Sequence, residues 1–154
     1  MEFFRVPESL QAQHELMRES LARAIGEGGR TGRAAEAVAA ALRPHVANEE
    51  DFGLPALGLL PHLVAGRVSP VMRGVIVMTD RLKAEYELML AGHQAIAAAV
   101  QVLAEAAAQE GKPETVVFAK KLLLHMQTEE QVLYPAAILV GEYLKLRLGE
   151  PVQR

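Results

Sequence analysis

The sequence predicts an all-α protein, an up-down-up-down four-helix bundle, on three observations. Apolar residues recur at steps of three and four along almost the whole chain, and no alternating run reads as a strand. Gly- and Pro-containing breaks at 26–32, 53–55 and 111–113 divide those runs. The pattern His-x-x-x-Glu-Glu, four residues, Pro-Ala occurs twice, from His45 and from His125, so the second half of the chain echoes the first. At 154 residues, 51% of them apolar, the chain reads as a single domain over 1–154 with a sizeable core.

The first helix follows Pro7 and Ser9. Its stripe is Leu10, His14, Met17, Leu21 and Ile25, and the glycine-rich run from Gly26 to Gly32 ends it. The second carries Val38, Leu42, His45, Glu49 and Phe52 until Gly53 and Pro55 disturb it. From Leu54 to Val68 an apolar stretch broken by Pro61 and Gly66 predicts a short extra helical segment. Ser69-Pro70 suits an N-cap and first turn. Thr79-Asp80 offers a second start, so this region reads as one long helix or two. Its stripe is Leu82, Tyr86, Met89, His93, Ile96, Val100 and Leu103. After Gly111-Lys112-Pro113 an extended C-terminal helix carries Phe118, Leu122, His125, Glu129, Val132, Ala136, Leu139, Tyr143 and Leu146, with a bend expected at Pro135.

Composition excludes several functions. There is no cysteine, hence no disulfide, thiolate metal site or cysteine nucleophile. A net charge of −3 without clusters argues against nucleic acid as a partner. Leu88–Ala104 is apolar but short of the ~20 residues a membrane span needs. No basic-then-apolar leader opens the chain. The expectation is a soluble, cytoplasmic protein; a homodimer is left open.

His14, His45, Glu49, His93, His125 and Glu129 all fall on apolar stripes rather than charged faces. Within each His-x-x-x-Glu the two side chains share a helix face, about one turn apart. A lone core histidine is more often a hydrogen-bonded structural residue, and a lone His-x-x-x-Glu is usually a surface pair. Four such histidines with two seam glutamates, twice repeated, outweigh that reading. A carboxylate buried among Leu, Val and Met costs several kcal/mol without a partner, and a cation supplies one. Nitrogen and oxygen donors suit Fe, Mn or Zn ahead of Cu or Ni. Six are too many for one structural zinc. They suit two ions bridged by Glu49 and Glu129; by symmetry His14 and His45 would hold one ion, His93 and His125 the other.

The series His14, His45/Glu49, His93, His125/Glu129, with the run from His125 to Pro135, resembles the hemerythrin-like family, the HHE cation-binding domains, over roughly residues 8–148. The resemblance implies an up-down four-helix bundle and a cofactor of two iron ions, a di-iron centre with an oxo or hydroxo bridge. It also implies oxygen, peroxide or nitric oxide as small-molecule partners. Oxygen-carrying members have His-x-x-x-His on the third helix and an Asp on the fourth; here Ala97 or Met89 stands in place of the extra His, and the acid is Glu129. That departure favours redox reactivity over carriage, and leaves a di-iron redox enzyme or an iron-supply or iron-sensing protein as alternatives. Ferritin-like proteins use Glu-x-x-His, a weaker match.

Glu50 and Glu130 lie about 100° round the helix from the seam glutamates and are expected to face solvent or outer partners. Tyr86 reads as a core residue able to reach a bound ligand, His62 as a loop histidine, and Met17 and Met89 as packing.

Overall fold

The computed structural model describes residues 4–149, and every regular element among them is helical. Helix α1 spans Glu8–Gly26 and α2 Gly29–Asn48. A π-helical turn, Glu49–Gly53, and a 3₁₀ turn, Pro55–Leu59, lead into the one-turn α3, Leu60–Val64. A second 3₁₀ turn, Pro70–Met72, opens α4, Arg73–Ala84, followed by α5, Tyr86–Gln109. Helix α6, Pro113–Thr128, runs through a second π-helical turn, Glu129–Leu133, into α7, Tyr134–Leu148.

The breaks follow local chemistry. Pro7 precedes α1, and Pro113 occupies the first turn of α6, where its missing N–H costs nothing. Gly28 and Gly29 take positive φ in the turn between α1 and α2, and Gly149 takes a left-handed φ of 77° after α7. Ser69 is extended before Pro70 but makes no side-chain cap. The predicted third helix is two helices, divided at Glu85 (φ −99°, ψ 13°) rather than at Thr79-Asp80. Thr79 lies buried within α4, its hydroxyl bonded to the Ile76 carbonyl.

Helix α1 packs on α2, α2 on α5, α5 on α6 and α6 on α1, while α4 pairs with α7. Two apolar cores result. One joins Met17, Leu21, Val38, Leu42, Ile96, Val100, Leu103 and Leu122 from α1, α2, α5 and α6. The other joins Phe52, Leu54, Leu59, Val75, Leu82, Tyr134, Val140 and Leu144. By length and composition α5 could cross a membrane; here its stripe Met89, His93, Ile96, Val100, Leu103 is buried against its neighbours.

The stripe expected after Glu129 is displaced. Val132, Leu139 and Leu146 are exposed, and Tyr134, Ala137, Val140, Gly141 and Leu144 are buried instead. The π-helical turn explains the change: it holds one more residue per turn than an α-helix, so every later position rotates onto a new face.

Gly141 shows how close α4 and α7 come. A Cβ there would lie 1.9 Å from Thr79 Oγ1. Gly141→Ala is therefore expected to destabilise the fold by about 1–3 kcal/mol through overpacking, lowering the melting temperature by roughly 2–4 °C per kcal/mol. A thermal melt at fixed metal content checks it; an unchanged melt would show that the two helices can part without cost.

Candidate metal centre

The six seam residues meet between the two cores. His14 comes from α1, His45 from the last turn of α2, His93 from α5 and His125 from the last turn of α6. Glu49 and Glu129 are the first residues of the two π-helical turns. Both glutamates are almost wholly buried, at 1% and 2% exposure, and His125 is the most open of the six at 12%.

The histidines pair across the sequence repeat, not within it. The symmetry expectation joined His14 with His45 and His93 with His125. Instead the His45 and His93 rings lie 4.4 Å apart, and those of His14 and His125 lie 5.5 Å apart. Helix adjacency is the reason: α2 packs on α5, and α1 on α6. Two ligand groups result, His45–Glu49–His93–Glu129 and His14–His125–Glu129, within each of which the donor atoms lie within 4.8 Å of one another.

The carboxylates link the groups oxygen by oxygen. Glu49 Oε1 is 3.2 Å from His45 Nε2 and 3.8 Å from His93 Nε2, and its Oε2 is 3.4 Å from His14 Nε2. Glu129 Oε1 is 3.4 Å from His93 Nε2, and its Oε2 is 3.4 Å from His125 Nε2 and 3.9 Å from His14 Nε2. Each carboxylate thus turns one oxygen to each histidine pair.

Hydrogen bonding points the same way. Both ring nitrogens of His14, His125 Nε2 and Glu129 Oε2 are buried with no hydrogen-bond partner. Such orphans are costly and rare in a folded interior. Three of them, His14 Nε2, His125 Nε2 and Glu129 Oε2, face one another and fit a cation, with neutral imidazoles and a carboxylate as donors. The outer ring nitrogens meet Glu50 and Glu130. His93 Nδ1 lies 2.8 Å from Glu130 Oε1, and His14 Nδ1 lies 3.7 Å from Glu50 Oε1, itself bonded to Arg18 at 2.9 Å. Both acids lie outside the cluster, as expected, and Glu130 orients the His93 ring so that its Nε2 points inward. Gly92 on α5 makes room for His45; a Cβ there would come within 2.7 Å of its Nδ1.

Tyr134 is the residue that sequence reasoning missed. It is fully buried, its hydroxyl donates to Glu49 Oε1, and its oxygen lies 3.1 Å from His45 Nε2 and 3.2 Å from His93 Nε2. In an unbroken α-helix, five residues past Glu129 is about 140° away from it. The π-helical turn brings it round to the same face. The available signal was the repeat itself, which puts a polar ring before Pro135 where the first copy has Leu54 before Pro55. Tyr86 stays outside, its hydroxyl on the Glu130 carbonyl at 3.3 Å. His62 sits on α3 beside Arg67, and neither ligand group includes it. Met17 and Met89 pack in the two cores, one on each side of the site.

The sequence model of the Hemerythrin HHE cation binding domain matches residues 5–137. The chain belongs to the hemerythrin HHE family. The match takes in all six seam residues and Tyr134 and ends within α7. No curated protein and no solved structure matches the chain significantly. As an HHE protein it has a cation-binding fold, and its buried His/Glu cluster is a site that could hold metal.

The protonation of the cluster follows from its charges. Burial disfavours charged His93, but Glu129, Glu49 and Glu130 outweigh it and push the ring up to about 10. His14 is raised in the same way, burial being overcome by Glu129 and Glu49. Burial would raise Glu129, but His125, His14 and His93 hold it far below the usual carboxylate range. Burial, then Glu49 and Glu129, push the Tyr134 phenol well above its ordinary value. Metal-free protein therefore carries protons that metal must displace. Protonated His93 stabilises the metal-free fold fully below about 6.5, its ordinary value, and that contribution fades as pH rises through about 10. Affinity for a divalent ion is expected to rise between pH 7 and pH 9, about tenfold per pH unit for each proton displaced. Manganous-ion titration in buffers of different ionisation enthalpy measures both affinity and protons released; a flat affinity across that range would contradict the assignment.

Proposed function

We propose that the chain is a non-haem di-iron protein of the hemerythrin type, an up-down four-helix bundle that reacts with oxygen, peroxide or nitric oxide. The carrying observation is the pair of buried carboxylates, each turning one oxygen to His45/His93 and the other toward His14/His125. His45 and His93 would hold one iron, His14 and His125 the other, and Glu49 and Glu129 would bridge them. When bound, the iron pair supplies redox electrons and Lewis acidity toward a small oxygen-bearing molecule.

The protein's own part is to fix the donors, exclude bulk water and leave a way in. The two apolar cores close the site along the bundle axis. A cavity of about 430 Å³ between α1 and α2 reaches His14, and one of about 490 Å³ between α1 and α6 reaches His125. Both are lined mainly by apolar side chains, among them Leu21, Leu42 and Val46 in the first and Leu16, Met17 and Phe118 in the second. That lining suits small neutral molecules. The absence of cysteine and the unclustered charge support a cytoplasmic protein without a nucleic-acid partner.

Reconstitution with ferrous iron under argon is expected to give two ions per chain by elemental analysis; saturation near one would refute the paired site. The loaded protein should melt above the metal-free form, because metal removal returns charged groups to an apolar layer. Glu129→Gln should narrow that gap, whereas equal melts for wild-type loaded and metal-free protein would count against the reading.

Among family-like uses, redox turnover is favoured over oxygen carriage. Ala97 stands where the resemblance to carriers calls for a further histidine, and each position is left with two imidazoles. Reduced protein exposed to air should oxidise, stay oxidised under argon, and consume peroxide. Full return of the reduced spectrum on sparging, with no peroxide consumed, would restore the carrier reading.

A further inference from the structure

Tyr134 occupies a place that hydrogen bonds explain only while the cluster holds no metal. Its single proton goes to Glu49. Its oxygen then faces His45 Nε2 at 3.1 Å and His93 Nε2 at 3.2 Å. Those nitrogens are the donors of one ligand group. Once they turn their lone pairs to a cation, neither can donate to the phenol. The oxygen would be left among two lone pairs and a carboxylate, fully buried, unless it faces the same cation. Its spacing fits that alternative: donors about 2.1 Å from one ion and at right angles to each other lie roughly 3 Å apart.

We propose that Tyr134 is a further protein ligand, a phenolate on the iron held by His45 and His93. This rests on the di-iron reading above. The bond forms from the phenol oxygen to the ion, the O–H bond breaks, and the proton leaves through Glu49 to solvent; no electron is transferred in that step. Anionic oxygen suits ferric iron, and phenolate is an established protein ligand to iron. The consequence is an unequal pair. The His45/His93 position gains a donor beside the cavity of about 220 Å³ that reaches His45. The His14/His125 position, where the orphaned nitrogens lie and two cavities arrive, stays open.

The test is full-length protein loaded anaerobically with ferrous iron, oxidised, and examined by elemental analysis, visible absorption and resonance Raman scattering. The expected result is two irons per chain with a ferric-phenolate charge-transfer band and phenolate ring modes. Tyr134→Phe should keep its iron and lose band and modes together, and Tyr86→Phe should keep both. Should Tyr134→Phe not fold, Tyr86→Phe and Tyr143→Phe settle the assignment by elimination, because the chain has three tyrosines. Two irons with no phenolate signature, or a signature surviving in Tyr134→Phe, would overturn the proposal and leave the di-iron reading standing. Wild-type protein that takes up no iron would overturn both, and the iron content tells the two failures apart.

Discussion

Two carboxylates buried among four imidazoles are the constraint on which the rest of this structure depends. Glu49 and Glu129 lie in a layer with apolar cores on both sides, where an unpaired charge costs several kcal/mol. Every nearby polar feature answers that cost. His14, His45, His93 and His125 crowd the carboxylate oxygens, Tyr134 donates to Glu49, and Glu130 and Glu50 stand behind the outer ring nitrogens. Protons can hold such a cluster together, since the carboxylates around His93 favour its charged ring. They leave His14, His125 and Glu129 with atoms that bond to nothing. A cation between the carboxylates would satisfy His14 Nε2, His125 Nε2 and Glu129 Oε2 at once.

The two π-helical turns make the layer possible. Each begins at a seam glutamate, and each returns a wide backbone bond to that residue, from Leu54 to Glu49 in the first and from Tyr134 to Glu129 in the second. An α-helix continuing past Glu129 would carry its original stripe onward, with Val132 and Leu139 inside. The wider turn rotates the chain instead, so that α7 presents Tyr134, Ala137, Val140 and Leu144 inward. One backbone irregularity therefore sets both the fourth helix's packing against α4 and the polar ring beside the site.

This is also where the sequence stops being readable. The helices, their breaks at Gly26–Gly29 and Gly111–Pro113, and the six seam residues follow from a period of 3.6 and from burial cost, both local properties. The face shift after Glu129 does not, because hydrophobic periodicity assumes an unbroken helix and Val132, Leu139 and Leu146 satisfy it as well as the residues actually buried. The grouping of the histidines was out of reach for another reason. Repeat symmetry says that two pairs exist, but only the packing of α2 on α5 and α1 on α6 decides which rings meet. The division at Glu85 carries no Gly or Pro, so Thr79-Asp80 was the stronger local signal and the wrong one.

Pairing across the repeat has a consequence that pairing within it would lack. Each histidine pair draws one residue from each half of the chain, so neither half can assemble a site alone. The carboxylates reinforce this, since Glu49 from the first half and Glu129 from the second each touch both pairs. Cation binding is thereby tied to closure of the whole ring α1–α2–α5–α6, and its free energy becomes folding free energy. The halves are nevertheless unequal where it matters chemically. Position for position in the repeat, Leu54 of the first copy corresponds to Tyr134 of the second. Both are fully buried, but one is aliphatic and the other carries a hydroxyl into the His45/His93 group. A single departure from the repeat thus gives one histidine pair a polar neighbour that the other lacks.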